Sequence, residues 1–238
     1  MASTSETGHN KNIANFNTVY QILEEMGALY SPTNSKIKLS NLDPIRNSLQ
    51  TVITELNAKQ PVYKNAVAAR ETAIEPLGKL MTKALNYAKS LDISVTDKEN
   101  IAAQAKKIRG DQKAKKVSAV TTTVESISTS QMSYDNRIAN LRAFTDQLES
   151  YAKYSPNEAE IQITHLKAFH SNLTNLSNTV NVAGNALITA RKNRDEILYK
   201  NSINVIQLVK DIKAYLKSLG ETGKPYYNAV VKLKFTES

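Results

Sequence analysis

The sequence contains no cysteine and no tryptophan, and only seven glycines and six prolines among 238 residues. Without cysteine, disulfides and thiolate metal sites are excluded. So few chain-breaking residues favour helices over turn-rich β structure. No apolar run reaches the roughly 18 residues of a membrane-spanning helix, and the N-terminus MASTSETGHNK lacks the basic and apolar regions of a secretory signal. We therefore expect a cytoplasmic protein, with secretion by a signal-independent route as the alternative.

Sequence motifs for catalysis, cofactors and metals are missing as well. His165 and His170 are five residues apart, which turns them to different faces of one helix, and His9 lies in a polar segment. The sequence has no HExxH motif, no EF-hand loop, no phosphate-binding glycine loop and no GxSxG nucleophile elbow. We therefore expect a protein that is not an enzyme and that uses no cofactor, no metal and no small-molecule substrate.

The tripeptide Tyr-Ser-Pro occurs twice, at 30–32 and again at 154–156, 124 residues later. Aligning the two copies extends the match over about 45 residues without a gap and places Arg70 on Arg194. After a four-residue insertion the match resumes, and Lys-Ser-Leu recurs in both copies. The pattern predicts a degenerate internal duplication. The alternative is that two unrelated amphipathic helices align equally well.

Apolar residues in the first copy recur at alternating spacings of three and four, which predicts long helices paired along an apolar seam. Pro61 and Pro76 interrupt this stretch, so we expect kinks there, with a break into two helices near Pro61 as the alternative. The predicted fold is all-α: an elongated antiparallel helical bundle or coiled coil built from two degenerate helical hairpins. The seam residues are Leu42, Ile45, Leu49, Val52, Leu56, Tyr63, Ala66, Ala73, Leu77, Leu80, Ala84, Tyr87 and Leu91.

The second copy keeps this seam as far as Ala190 and then shifts phase, with Leu198 continuing it four residues later. A four-residue insertion in a heptad pattern is a stutter, which we expect to unwind the supercoil locally without ending the helix. Upstream, Ser-Pro-Asn-Glu at 155–158 has the residues of a helix start. Ser40 and Thr164 are alternative starting points for the two long helices.

The predicted organisation is a single bundle with five segments. We expect a linker helix capped by Thr96 and stopped by Gly110, and a helix beginning near Gln112. A short helix or strand is expected at the C-terminus. The segments are a disordered polar tail at 1–8, helical hairpin repeat 1 at 9–91, a linker helix and basic linker at 92–116, an extended hairpin repeat 2 at 117–219, whose duplicated part is 134–219, and a C-terminal tail at 220–238.

Arg70 and Arg194 are the two arginines that occupy seam positions, and each is followed by an acid, Glu71 or Asp195. One interpretation is that their long side chains extend along the bundle edge to solvent. The other is that each pairs with a carboxylate across the bundle and fixes the register of the helices.

A basic stretch, KKIRGDQKAKK, contributes strongly to the net charge of +9. It could bind a polyanion, either nucleic acid or an anionic lipid surface, although it lacks aromatic residues for base stacking. The alternative is a solvated linker between helices. The polyanion-binding candidates are Lys106, Lys107, Arg109, Lys113, Lys115 and Lys116.

These observations favour a non-enzymatic structural or protein-interaction protein, a scaffold or spacer whose helix faces bind a partner protein or a second copy. The first alternative is a membrane-active protein resembling helical pore-forming toxins, with VSAVTTTVESISTSQMS as the inserting element. The second is polyanion binding through the basic linker. Helical bundles serve many unrelated functions, so the fold alone does not decide among these.

Overall fold

The computed structural model describes residues 8–109 and 133–237, which form an all-helical fold without a strand in that part of the chain. The prediction of an all-α protein is therefore confirmed. The α-helices of the described residues are α1 His9–Glu25, α2 Leu39–Ile74, α3 Leu77–Ser90, α4 Val95–Arg109, α5 Tyr134–Glu149, α6 Ile163–Asp195, α7 Val205–Ser218 and α8 Lys224–Lys232.

The helix α2 is continuous over 36 residues although it contains Pro44 and Pro61. The alternative of a break near Pro61 is therefore wrong. Proline removes the backbone hydrogen bond to the carbonyl four residues earlier, here that of Asn57. Because Pro61 and Asn57 are both exposed, water can satisfy that carbonyl. The chain breaks later, at Pro76, which directly precedes α3.

The two Tyr-Ser-Pro sites do not start helices. Each is followed by a short 3-10 turn, Ser35–Ile37 or Ala159–Ile161, and the long helix begins only after one further extended residue. The predicted start at 155–158 is therefore wrong, and the starts near Ser40 and Thr164 are the better predictions. In both sites the tyrosine and proline are buried while the serine is exposed.

The phase shift after Ala190 ends a helix, contrary to our expectation. The helix α6 stops at Asp195, a five-residue π-helix follows at Glu196–Lys200, and α7 begins at Val205. The π-helix is closed by a hydrogen bond from the Asn201 amide to the Glu196 carbonyl at 2.9 Å. A new helix can start at Val205 because the Asn204 side chain accepts a hydrogen bond from the Gln207 amide and caps α7.

Of the remaining helix starts, that of α4 lies close to its predicted position and that of α5 does not. The cap of α4 is Ser94, whose hydroxyl accepts from the Asp97 amide, rather than Thr96. The helix α5 begins after Ser133, which caps it. Because α5 begins only at Tyr134, the prediction that this helix starts near Gln112 is wrong. Position 112 itself, the Gly110 stop and the segment VSAVTTTVESISTSQM lie outside the described residues. The C-terminal tail contains a helix, α8, as one of the two predicted alternatives.

The described residues form two compact units, one drawn from Met1–Pro61 and Asn185–Ser238, the other from Val62–Gly184. We call these the terminal unit and the middle unit. In the terminal unit α1 packs against α7 and α8, and the turn Ser35–Ile37 packs against α7. Its core residues are Ile13, Phe16, Val19, Tyr20, Leu23, Met26, Tyr30, Ile37, Leu42, Leu49, Leu198, Val205, Leu208, Val209, Ile212, Leu216 and Val230.

In the middle unit α4 packs against α3 and α5, and the turn Ala159–Ile161 packs against α3. A smaller apolar cluster of this unit joins Ala66 of α2 to Val180 and Ala183 of α6. The main core residues are Ile74, Leu77, Leu80, Met81, Ala84, Leu85, Ala88, Ile101, Ala105, Ile108, Ile138, Leu141, Phe144, Leu148, Tyr154, Ile161, Leu166 and Leu173.

Candidate functional site

The most organised polar site in the described residues surrounds the C-terminal segment, which we define as residues 233–237. After α8 the backbone becomes extended at Leu233, with φ −77° and ψ 109°. The segment lies against α1 and α7 of the terminal unit. We call the surface that holds it the tail groove; it is formed by Asn12 and Asn15 of α1 and by Val209 and Lys213 of α7.

Asn12 binds the backbone of Thr236 with both ends of its side-chain amide. Its Nδ2 donates to the Thr236 carbonyl at 2.8 Å, and its Oδ1 accepts from the Thr236 amide at 3.0 Å. The side chain is fully buried, so these bonds satisfy groups that would otherwise be costly to remove from water. Asn12 therefore recognises an extended backbone, independently of the side chain at that position.

Asn15 repeats this contact one turn further along α1. Its Nδ2 donates to the Lys234 carbonyl at 2.7 Å, and the residue is 5% exposed. The side chains of Leu233 and Phe235, which alternate along the segment with Lys234 and Thr236, are half-buried against the terminal-unit core. This alternation follows from the two-residue period of an extended chain.

Next to Asn12, His9 and Tyr199 form a polar cluster with the end of α6. Asn12 Nδ2 donates to the Tyr199 hydroxyl at 3.0 Å, and that hydroxyl lies 2.9 Å from His9 Nδ1. Burial and the positive charge of Arg194 lower the pKa of His9, against the opposing effect of Asp195. The lowered pKa favours the neutral imidazole, whose Nδ1 can accept the proton of the Tyr199 hydroxyl.

The two seam arginines make different contacts. Arg194 donates to the adjacent Asp195, with NH2 to Oδ1 at 2.7 Å, and its side chain is 14% exposed. Arg70 lies over the ring of Tyr134 at 3.9 Å, and its Nε is buried without a hydrogen-bond partner in the described part of the chain. Both arginines are held by protein groups, and a role in fixing helix register stays a prediction.

Of the basic candidates, Lys106, Lys107 and Arg109 lie in the last turn of α4, while Lys113, Lys115 and Lys116 lie outside the described residues. Lys107 and Arg109 are exposed. The guanidinium of Arg109 donates to the Thr82 hydroxyl at 3.1 Å. Positive side chains at a helix C-terminus also interact favourably with the helix dipole, so these three residues can stabilise α4 itself.

The described residues contain no group of three or more histidine, aspartate or glutamate side chains that could hold a metal. Within the same ranges, no helix has the length and hydrophobicity needed to cross a membrane. Open depressions of about 370 and 290 Å³ lie beside the C-terminal segment, lined in part by Lys210 and Glu237.

Sequence reasoning missed Asn12 and Asn15, although a signal was present. Both asparagines fall on the apolar face of α1, beside Ile13 and Phe16, where a buried amide needs a partner. The partner is distant in sequence, so no local pattern identifies it. Comparison with known proteins adds no assignment, because no family model, curated protein or solved structure matches this chain.

Proposed function

We propose that this chain is a non-enzymatic structural or interaction protein, a helical scaffold whose partner is another protein, in the first instance a second copy. The observation that carries the proposal is the tail groove. Its buried asparagines hold a polypeptide backbone through three hydrogen bonds of 2.7 to 3.0 Å. Such contacts favour the recognition of extended protein segments, a recurring mode of protein interaction.

The polar chemistry at this site also favours binding over catalysis. Tyr199 and His9 contact each other, but Asn12 uses the remaining face of the Tyr199 hydroxyl and the C-terminal segment occupies the groove. A catalytic site needs an accessible position about 3 Å from both nucleophile and base. Here the buried polar atoms are already paired within the protein.

Self-association is tested by light scattering in line with size exclusion, on nuclease-treated protein across a hundredfold concentration range. We expect the mass to rise above the 26.3 kDa of one chain as concentration increases. A mass that stays at one chain throughout contradicts self-association. Cross-linking between isotope-labelled and unlabelled chains separates contacts between copies from contacts within one chain.

We further infer that the chain consists of two degenerate copies of one helical unit, 9–91 and 134–219. Matching hydrogen bonds support this: the Tyr30 hydroxyl donates to the Ile37 carbonyl, and the Tyr154 hydroxyl donates to the Ile161 carbonyl. The helices that follow the long ones, α3 and α7, each have 14 residues. If this inference is right, disrupting either tyrosine contact costs a similar amount of stability.

The ring contacts support the same inference and indicate an exchange between the copies. Tyr30 packs edge-on against Tyr215 at 5.4 Å, and Tyr154 packs edge-on against Tyr87 at 5.3 Å. In each pair, one tyrosine belongs to the first predicted copy and the other to the second. Each compact unit would then combine the beginning of one copy with the end of the other.

A further inference from the structure

The C-terminal segment is bound in the way that an independent peptide ligand would be. Its backbone is fixed at Lys234 and Thr236 by Asn15 and Asn12, while only two of its side chains, Leu233 and Phe235, enter the apolar surface. Because the asparagines contact backbone atoms, the groove selects an extended conformation and an alternation of apolar residues more than a particular sequence.

The seat of this segment is incompletely filled. A depression of about 370 Å³ remains between the segment and α7, lined by Ile206, Val209 and Lys213. The ion pair at the tip, Lys210 with Glu237 at 2.7 Å, is exposed on both sides and contributes little to stability. Release of the segment is opposed mainly by the three hydrogen bonds and by the burial of Leu233 and Phe235, and an identical segment can re-form all of these contacts.

We propose that the tail groove is a peptide-binding site, and that its ligand in trans is the C-terminal segment of a second copy of this chain. The occupant follows from the structure, because this chain's own segment is the sequence that already fits the groove. The proposal rests on the proposed function and names the contact through which two copies associate.

The geometry limits how such an exchange can occur. The hinge would lie at Leu233, where α8 ends and the backbone is already extended. Five extended residues reach at most about 18 Å, at roughly 3.3–3.6 Å each, so the α1 helix of the second copy must lie that close to Lys232. The chain's own segment competes for the groove at an effective concentration in the millimolar range. Binding of the segment of a second copy therefore increases with protein concentration.

Peptide binding tests the groove directly. The probe is a fluorescent peptide of residues 231–237, Val-Lys-Leu-Lys-Phe-Thr-Glu, and the receptor is the full chain carrying Phe235→Asp, which weakens its own segment. We expect this variant to bind the probe at least tenfold more tightly than the wild-type chain. Equal binding by the two chains overturns the proposal. Circular dichroism confirms folding, and Phe235→Ala replaces Phe235→Asp if the latter unfolds.

Backbone recognition is tested on the peptide, where folding of the protein is not at risk. N-methylation of the Thr236 amide removes the hydrogen bond to Asn12 Oδ1, so we expect at least tenfold weaker binding. N-methylation of the Phe235 amide is the matched control, because that amide has no hydrogen-bond partner in the described residues. If both methylated peptides bind alike, the groove does not recognise the backbone as proposed.

Complementation tests the exchange between copies. Asn12→Asp damages the groove but leaves the segment intact, whereas Phe235→Asp damages the segment but leaves the groove intact. We expect a one-to-one complex in a mixture of the two variants and in neither variant alone. If the wild-type chain self-associates but this complex and peptide binding are both absent, the tail groove is not the interface, while the proposed function stands. If the wild-type chain never exceeds one copy, self-association itself is wrong.

Discussion

The hydroxyl of Tyr30 donates to the carbonyl of Ile37 at 2.6 Å, across the irregular segment that joins α1 to α2. Both residues are buried, at 7% and 2% exposure, so the bond closes this connection away from water. The same arrangement occurs in the middle unit, where Tyr154 donates to Ile161 at 2.9 Å. Each compact unit thus contains one connection fixed by a tyrosine seven residues upstream of its acceptor.

Removing either hydroxyl is expected to destabilise the protein. Tyr30→Phe or Tyr154→Phe leaves a buried carbonyl without this donor, at a cost of roughly 1–3 kcal/mol. Urea denaturation measures the change in the free energy of unfolding. Tyr226→Phe is the control, since its hydroxyl has no hydrogen bond within the described ranges. Unchanged stability in both variants would show that water replaces the tyrosines at little cost.

The same tyrosines are expected to destabilise the fold at alkaline pH. Burial raises the pKa of both Tyr30 and Tyr154 above the ordinary value of 10.0. Above that pH the unfolded state loses these protons while the folded state keeps them, so stability falls as pH rises. Absorbance at 295 nm follows tyrosinate without interference from tryptophan, which the chain lacks. We expect two of the eleven tyrosines to ionise only together with unfolding. Their ionisation in the folded protein near pH 10 would contradict this.

The sequence was informative wherever a local pattern decides the structure. Spacings of three and four identified core residues such as Leu42, Leu49 and Leu77, all fully buried, because helical periodicity places them on one face. The helix ends at Pro76, where only a kink was expected, and after Ala190 were misjudged, while the continuity of α2 through Pro61 was expected correctly. Whether a proline ends a helix depends on whether water can reach the freed carbonyl, and the sequence does not show this. The phase shift after Ala190 likewise does not show that α6 ends in a π-helix and that Asn204 caps a new helix.

The candidate site was less predictable than the fold. The contact between Asn12 and Thr236 joins residues 224 positions apart, so neither segment signals the other. What was visible was a pair of asparagines on an apolar helix face and a C-terminal Leu-Lys-Phe alternation. Each of these two features is common in helical proteins, and only the tertiary fold brings the asparagines into contact with the C-terminal segment.

Gly223, between α7 and α8, lies where neighbouring atoms leave no room for a Cβ. A Cβ at Gly223 would lie 2.5 Å from the Leu216 carbonyl oxygen and 2.7 Å from Leu219 Cβ. We expect Gly223→Ala to cost about 1–3 kcal/mol through the backbone shift it forces. Thermal and urea unfolding measure this loss.

Gly78→Ala is the matched control for this substitution. Gly78 lies in α3 with nothing within 4 Å of an added Cβ, so alanine should stabilise the helix by up to about 1 kcal/mol. Equal effects of the two alanines would mean that the close approach at Gly223 relaxes freely.

Two histidines are expected to make the protein less stable in mild acid. The pKa values of His9 and His170 are lowered from 6.5, chiefly by burial and then by Arg194 and Arg142 respectively. Below that pH the unfolded state binds protons that the folded state resists, so stability falls as pH decreases below 6.5. Replacing both histidines with glutamine should flatten this dependence. A slope that persists in the double variant would assign it to other groups.

The charge of Arg194 is predicted to control the His9 pKa. Arg194→Gln removes the repulsion while the attraction of Asp195, 3.8 Å from Nδ1, remains, so the His9 pKa should rise. Asp195→Asn should lower it. Proton NMR resolves this because the chain has three histidines. An unchanged His9 pKa in both variants, or shifts of the reverse sign, would place His9 outside the influence of this pair.

Substituting leucine for Arg70 and Arg194 separates their packing roles. Arg70→Leu loses a stacking contact with Tyr134 worth about 0.5–1 kcal/mol but also removes a buried Nε without a partner, so we expect little net change. Arg46→Leu is a comparison variant that should cost more, since Arg46 also lies 4.3 Å over Tyr20 with an unpaired Nε but in addition pairs with Asp43 at 2.7 Å. Arg194→Leu should destabilise the fold, because Asp195, at 27% exposure, loses its cationic partner.

The double variant Arg70→Leu, Arg194→Leu tests whether these arginines fix the register of the helices. Their closest described partners are an aromatic ring and the next residue in sequence, and neither contact selects between alternative helix alignments through charge. We therefore expect the double variant to keep the wild-type oligomeric state and one set of amide NMR signals. Additional species by light scattering, or duplicated signals from residues of α2 and α6, would instead support the register role. Removing a polar group that specifies the alignment of helices is expected to allow several alignments, with less effect on stability.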